Sequence, residues 1–225
     1  MEERPVPPPA TSEKLQILAT EHWSLLATRS LIYQESLGRV NMFLAVLSGA
    51  VIALALIAQA DRFGPTFIAI AIFMLAVVFF VGVATVRRLM MLNRDDYHMV
   101  VGMNRLRHGY LELHPELEPN FITGSHDDLP GALRTLGIAA ETAQGLGTFF
   151  HGFVTLPGMV GVIVASVAGA IGGLAAVGFA APPFAVILAG ALAFLAAEAL
   201  IYVTGRRSFR RFGPSLESRF PTPKS

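Results

Sequence analysis

The chain has 225 residues, of which 53% are hydrophobic and only 15% charged, and its net charge is +1. A mean hydropathy of +0.57 places it among membrane proteins rather than ordinary soluble domains. It has no cysteine, which removes disulfides, thiolate metal sites and cysteine nucleophiles.

Four apolar stretches, 42–60, 66–86, 153–181 and 183–204, are each long enough to cross a bilayer core of roughly 30 Å. The first three lack Asp, Glu, Lys and Arg, and the fourth carries only Glu198. Each charge near a helix centre costs about 2.5–3.5 kcal/mol on insertion scales, so runs this clean indicate lipid as the solvent.

Taken in chain order, residues 1–11 are expected to be a disordered tail punctuated by Pro7, Pro8 and Pro9. No apolar run begins before position 40, so no cleavable signal peptide is expected. Thr11 or Ser12 is positioned to cap a helix with Glu13 in its first turn. No proline interrupts it before Pro65, which predicts one continuous helix over 12–60. Within it Trp23, Leu26, Tyr33, Leu37, Val40, Leu44 and Leu47 fall on a single heptad stripe, with Ser30 as the exception. Ala45, Gly49 and Ala53 add a short line of small residues to the first span.

After the turn at 61–65, a second helix is expected over 66–114. Leu89, Leu92, Asp96, Met99, Met103, Leu106, Tyr110 and Leu113 alternate in steps of three and four, a coiled-coil seam that Pro115 ends. Asp96 is its polar member, placed either to fix register or to turn outward beside Arg94. The two helices are of equal length, about 73 Å each at 1.5 Å per residue. Matched arms on a tight turn predict an antiparallel hairpin projecting roughly 40 Å beyond the lipid. The alternative lays 12–40 flat on the membrane as an amphipathic helix.

Residues 115–152 form a connector broken by Pro115, Pro119, Pro130 and glycines, with a short helix expected from Asp128 and Pro130 to near Gly137. His108, Glu112, His114, Glu116, Glu118, His126, Asp127 and Asp128 supply carboxylates and imidazoles, but at no recognised ligand spacing, so no metal site is assigned. Phe149, Phe150 and Phe153 are expected to form an interfacial aromatic belt. In the third span Gly161, Ala165, Gly169 and Gly173 recur at every fourth position, beside Gly172 and Ala176. Such a ridge lets helices approach closely, and marks a pore-lining helix, a subunit interface or packing against other helices of the same subunit.

Glu198 is the acidic residue at membrane depth. It is a candidate cation-attracting or proton-carrying site, or else a structural partner of Arg206 or Arg207. Residues 205–225 read as a basic tail whose Arg206, Arg207, Arg210 and Arg211 fix topology and meet anionic lipid rather than nucleic acid. Arginines cluster at the inner ends of the spans, which places both termini and the connector in the cytoplasm. Arg-dominated, Ala- and Gly-rich composition suggests a GC-rich bacterial genome. No Walker, nucleophile-elbow or HExxH pattern occurs, and paired intramembrane histidines for haem are absent, so neither an enzyme nor a cofactor is expected.

Segments such as Leu26-Ala27-Thr28-Arg29 and Leu37-Gly38-Arg39 ahead of a tight two-span hairpin make the first half resemble the SLATT proteins. Those are bacterial two-span membrane proteins proposed to be pore-forming effectors. The second pair of spans departs from that pattern. The chain also resembles four-span proteins of GC-rich bacteria through Gly102-Met-Asn-Arg-Leu-Arg-His108 and Glu112-Leu-His-Pro-Glu-Leu-Glu-Pro119. The expectation is an all-α inner-membrane protein of two hairpins that forms a homo-oligomer and conducts ions. A non-conducting scaffold, binding a cytoplasmic protein partner through the first hairpin, is the alternative, and a small transporter is third.

Overall fold

A computed structural model describes residues 9–137, 155–212 and 217–223. Their regular structure is all helical, with no strand among them: α1 (Pro9–Asp61), α2 (Pro65–Leu113), a 3-10 turn (Pro115–Asn120), α3 (Leu129–Thr135), α4 (Leu156–Gly178) and α5 (Pro183–Phe212). Four of them, α1, α2, α4 and α5, are long and apolar enough to cross a membrane. In their most apolar windows no more than 28% of residues are buried by protein. Apolar surface left bare on that scale is consistent with a multi-pass membrane protein.

Local chemistry sets the ends. Asp128 caps α3, accepting from the Gly131 N–H at 3.0 Å, with Pro130 in the first turn. Thr155 caps α4 in the same way, through Gly158 at 3.3 Å. Between α1 and α2, Arg62 and Phe63 both adopt positive φ (48° and 63°). Asp61 holds that turn: its carboxylate accepts the Phe67 N–H at 2.7 Å. A Cβ on Gly64 would stand 2.9 Å from the same carboxylate, so glycine is needed there for the close approach.

Several boundaries differ from the sequence reading. α1 begins at Pro9, so Thr11 and Ser12 lie inside it rather than capping it. α4 stops at Gly178 rather than 181, because Ala180 turns to φ 52° and the Ala181 N–H reaches back to the Ala176 carbonyl at 3.0 Å. α5 continues past Thr204 to Phe212. The belt residues Phe149, Phe150 and Phe153 lie outside the described residues.

The chain divides into two units, one of Met1–Gln34, Asn93–Thr148 and Gly213–Ser225, the other of Glu35–Leu92 and Phe149–Phe212. In the second unit Phe43 of α1 and Val164 of α4 meet at Gly82 of α2. A Cβ on Gly82 would lie 2.5 Å from Val164 and 2.9 Å from Phe43. A further core joins Ala58, Phe67 and Ala71, with Leu54, Ile57, Ile68 and Leu174 packed on it. The ridge of α4 is taken up by α5 of the same chain. Gly169 abuts the Gly190 carbonyl and Phe194, Gly172 abuts Ala189 and Ala193, Gly173 faces Val186, and Gly161 faces Ile201. Ala165 of the same ridge is fully buried.

In the first unit, Leu18 and Leu25 of α1 reach Gly109 and Gly102 of α2, and His22 stacks on Tyr110 at 5.9 Å. This corrects the phase of α1. Its heptad stripe is not the face turned to α2: Trp23 is 72% exposed, and Leu26, Tyr33, Leu37 and Leu44 are exposed too. Polar His22, Arg29 and Ser36 occupy the inward positions and disguised the true face. Ala45 and Gly49 also point away from the chain, with nothing within 4 Å of a Cβ on Gly49. The α2 seam is buried at Leu89, Leu92 and Met103 and half-buried at Asp96, Met99, Leu106, Tyr110 and Leu113. A second face of α2, Val100 and Val101, packs under α3 against Ala132, Tyr97 and Leu136.

Candidate functional site

Glu198 sits on α5 facing α4. Its Oε2 is shielded from solvent and has no hydrogen-bond partner, and no ion pair to Arg206 or Arg207 occurs among the described residues. It lies 4.0 Å from where a Cβ of Gly161 would be, so the glycine leaves room for the carboxyl at the helix contact. The structural alternative, in which an arginine of the next turn neutralises it, is therefore not realised. A carboxyl at membrane depth without a protein partner has two chemical uses: attracting a cation or carrying a proton.

Two ion pairs join α1 to α2. Arg29 donates to Asp96 at 2.6 and 3.3 Å, which explains the polar member of the seam and supplies a partner other than Arg94. In the second unit Arg88 donates twice to Glu35, at 2.8 and 2.9 Å, and Arg39 donates to the same carboxylate at 2.8 Å. Hydrogen bonds from Arg88 and then Arg39 draw the Glu35 carboxyl down to about 2. Its stabilising contribution is thus full above its unfolded value of 4.5, falls as pH drops below that, and is gone once pH has passed about 2. The group is 35% exposed, so this is worth no more than about 1 kcal/mol.

A polar knot ties the connector to α2. Asn104, fully buried, donates to the His126 carbonyl at 2.7 Å and accepts from Arg107 at 2.7 Å and from the Thr135 hydroxyl at 2.9 Å. Next to it lies a feature the sequence reading missed. The Asp127 side chain, 0% exposed, accepts from Arg105 at 2.6 Å, Ser218 Oγ at 2.7 Å, and the N–H groups of Arg219 at 2.9 Å and Phe220 at 2.8 Å. Arg105 also donates to the Glu217 carbonyl at 2.6 Å. Asp128 accepts from the Thr222 N–H and hydroxyl, each at 2.8 Å, and the Phe220 ring stacks on His108 at 3.9 Å. Residues 217–222 are therefore a strap held by two aspartates, not a free basic tail.

Burial alone would raise the Asp127 carboxyl. The donors of Arg219, Ser218, Arg105 and Phe220 outweigh it and hold the group well below the usual carboxylate range. Asp128 is lowered in the same way, chiefly by Thr222. The available signal was Phe220 bracketed by a hydroxyl on each side and followed by two prolines, Ser218-Arg-Phe-Pro-Thr-Pro223. Among the described residues no group of three His, Asp or Glu could hold a metal ion. Searched against family models, curated proteins and solved structures, the chain matches none.

Proposed function

We propose that the chain is a four-span bacterial inner-membrane protein, arranged as two hairpins with both termini cytoplasmic, that assembles as a homo-oligomer and conducts ions. The observation that carries this reading is Glu198, a carboxyl at membrane depth whose inner oxygen has no protein partner. In an oligomer such groups would form an acidic ring that draws cations toward one mouth. The architectural likeness of the first half to SLATT proteins accords with it. Neither catalysis nor a cofactor forms part of the proposal. In reconstituted bilayers, Glu198→Gln should lower cation conductance or selectivity while leaving the oligomer mass unchanged. A wild-type protein silent across voltage, pH and divalent-ion conditions would remove conduction.

The second reading is a non-conducting scaffold, and the outer face of α1 favours it. Between Trp23 and Tyr33 that face exposes Trp23, Leu26, Leu31 and Tyr33, while the one charge in the interval, Arg29, turns to Asp96. Apolar surface of this kind marks an interaction site. Because the chain lacks cysteine, a single Cys at Leu26 or Tyr33 tests what covers it. Disulfide-linked dimers in membranes are expected if a second copy does. Monomers that become cross-linked to another protein would favour the scaffold.

A further inference from the structure

We propose that the groove between α2 and α5 is a binding site for an anionic glycerophospholipid, one acyl chain lying in the groove and the phosphate held by Arg87 with Arg207. The groove has a volume of about 270 Å³. Its walls are Phe79, Val83, Val86 and Met90 on one side and Ala197 and Ile201 on the other, and its polar members are Arg87 and Thr204. α5 closes on α2 at the same end, where a Cβ on Gly205 would stand 3.0 Å from the Met90 methyl. From Phe79 to Met90 the α2 wall runs roughly 17 Å at 1.5 Å per residue, about half of a 30 Å hydrocarbon core. It has the reach of one leaflet and a cationic end where that leaflet meets water.

The arginines near it divide into two kinds. Arg39 and Arg88 are bound to Glu35. Arg87, Arg206 and Arg207 are exposed, and none forms an ion pair among the described residues. Arg207 follows the groove residue Thr204 by three positions and lies on the same side of α5, whereas Arg206 lies about 200° round the helix and faces away from the groove. Glu35 satisfies two of these guanidinium groups, and those at the lip are left for an external anion. A guanidinium matches a phosphate with two parallel hydrogen bonds. A soluble anion would leave the apolar wall empty; a phospholipid fills both parts. The site does not depend on whether the protein conducts.

The test is native mass spectrometry of the detergent-purified full chain with added phosphatidylglycerol or chain-matched phosphatidylcholine. Phosphatidylglycerol should remain bound at collision energies that strip phosphatidylcholine, and glycerophosphoglycerol, the same phosphodiester anion without chains, should not displace it. Arg87→Gln should reduce the preference about five-fold, the expected effect of one juxtamembrane arginine, and the double change with Arg207→Gln should abolish it. Ala197→Phe keeps every arginine but fills the groove, and should lose the bound lipid. Val83→Phe fills it from the other wall and serves if the first variant does not fold. Equal retention of the two lipids by the wild type, or undiminished phosphatidylglycerol in a folded groove-filled variant, would overturn the site.

Discussion

Replacing Asp127 with alanine should release residues 217–222 and destabilise the first unit by about 3 kcal/mol. The carboxylate is completely buried and serves four donors, one of them the guanidinium of Arg105. Removing one member of a buried charge pair costs roughly 3–5 kcal/mol, because the other charge and the backbone N–H groups lose their acceptor. Arg105 is 27% exposed and recovers some hydration, which sets the expectation at the lower end. Trypsin provides the readout: Arg219 should resist cleavage in the wild type and be cut rapidly in the variant, with a matching fall in melting temperature. Unchanged protection of Arg219 would mean that the strap is held elsewhere. Asp127→Asn, which retains one acceptor oxygen, should give an intermediate result. The pH dependence follows from the sign of the shift. A carboxyl lowered on folding stabilises above its unfolded value near 3.8 and loses that contribution as pH falls below it. The strap should therefore stay docked from neutral pH down to about pH 4 and open only in stronger acid.

Methyl groups added along the α4 ridge should destabilise in the order Gly172, Gly169, Gly173. At Gly172 a Cβ would lie 2.7 Å from the Ala193 Cβ and 2.9 Å from the Ala189 carbonyl oxygen. Neither can move without its helix, so Gly172→Ala must separate α4 from α5, an overpacking cost of about 1–3 kcal/mol. At Gly169 the nearest atom, the Gly190 carbonyl, is 3.1 Å away, and at Gly173 the nearest is 3.8 Å away, an ordinary contact. Gly49→Ala, with nothing within 4 Å, should be neutral or stabilise slightly, since alanine is the better helix former by up to about 1 kcal/mol. Thermal unfolding of the four variants in one detergent reads the order. A Gly172→Ala protein as stable as Gly49→Ala would show that the helices do not touch there. A fall in oligomer mass specific to Gly49→Leu would identify the outer face of α1 as a subunit contact.

The helices and their apolar character were legible because lipid imposes a coarse demand: about twenty residues without charge. The short helix capped by Asp128 was legible too, since Asp and Pro at its start leave few alternatives. The phase of α1 was not. Apolarity marks the buried face only where burial is apolar, and here Arg29 and Ser36 point inward while Trp23 and Leu37 point out. Asp96 stood out as a polar residue in a seam, but its partner lies 67 positions away and only the fold pairs it with Arg29. The strap escaped notice for the same reason. Asp127 and Ser218 are 91 residues apart, and two adjacent aspartates read locally as a helix start. Glu198 was identifiable from its isolation alone, whereas the lack of a partner for its carboxyl required the structure.

The close seat of α4 on α5 also bears on membrane thickness. α4 has 23 residues, about 34 Å of helix against a hydrocarbon core of roughly 30 Å. With Gly172 and Gly169 locked against the α5 backbone, the two helices cannot relieve that excess separately by sliding or splaying. They must lean together. Hydrophobic mismatch would thus be felt by the pair as one rigid blade, with the unpartnered carboxyl of Glu198 carried along at its seam.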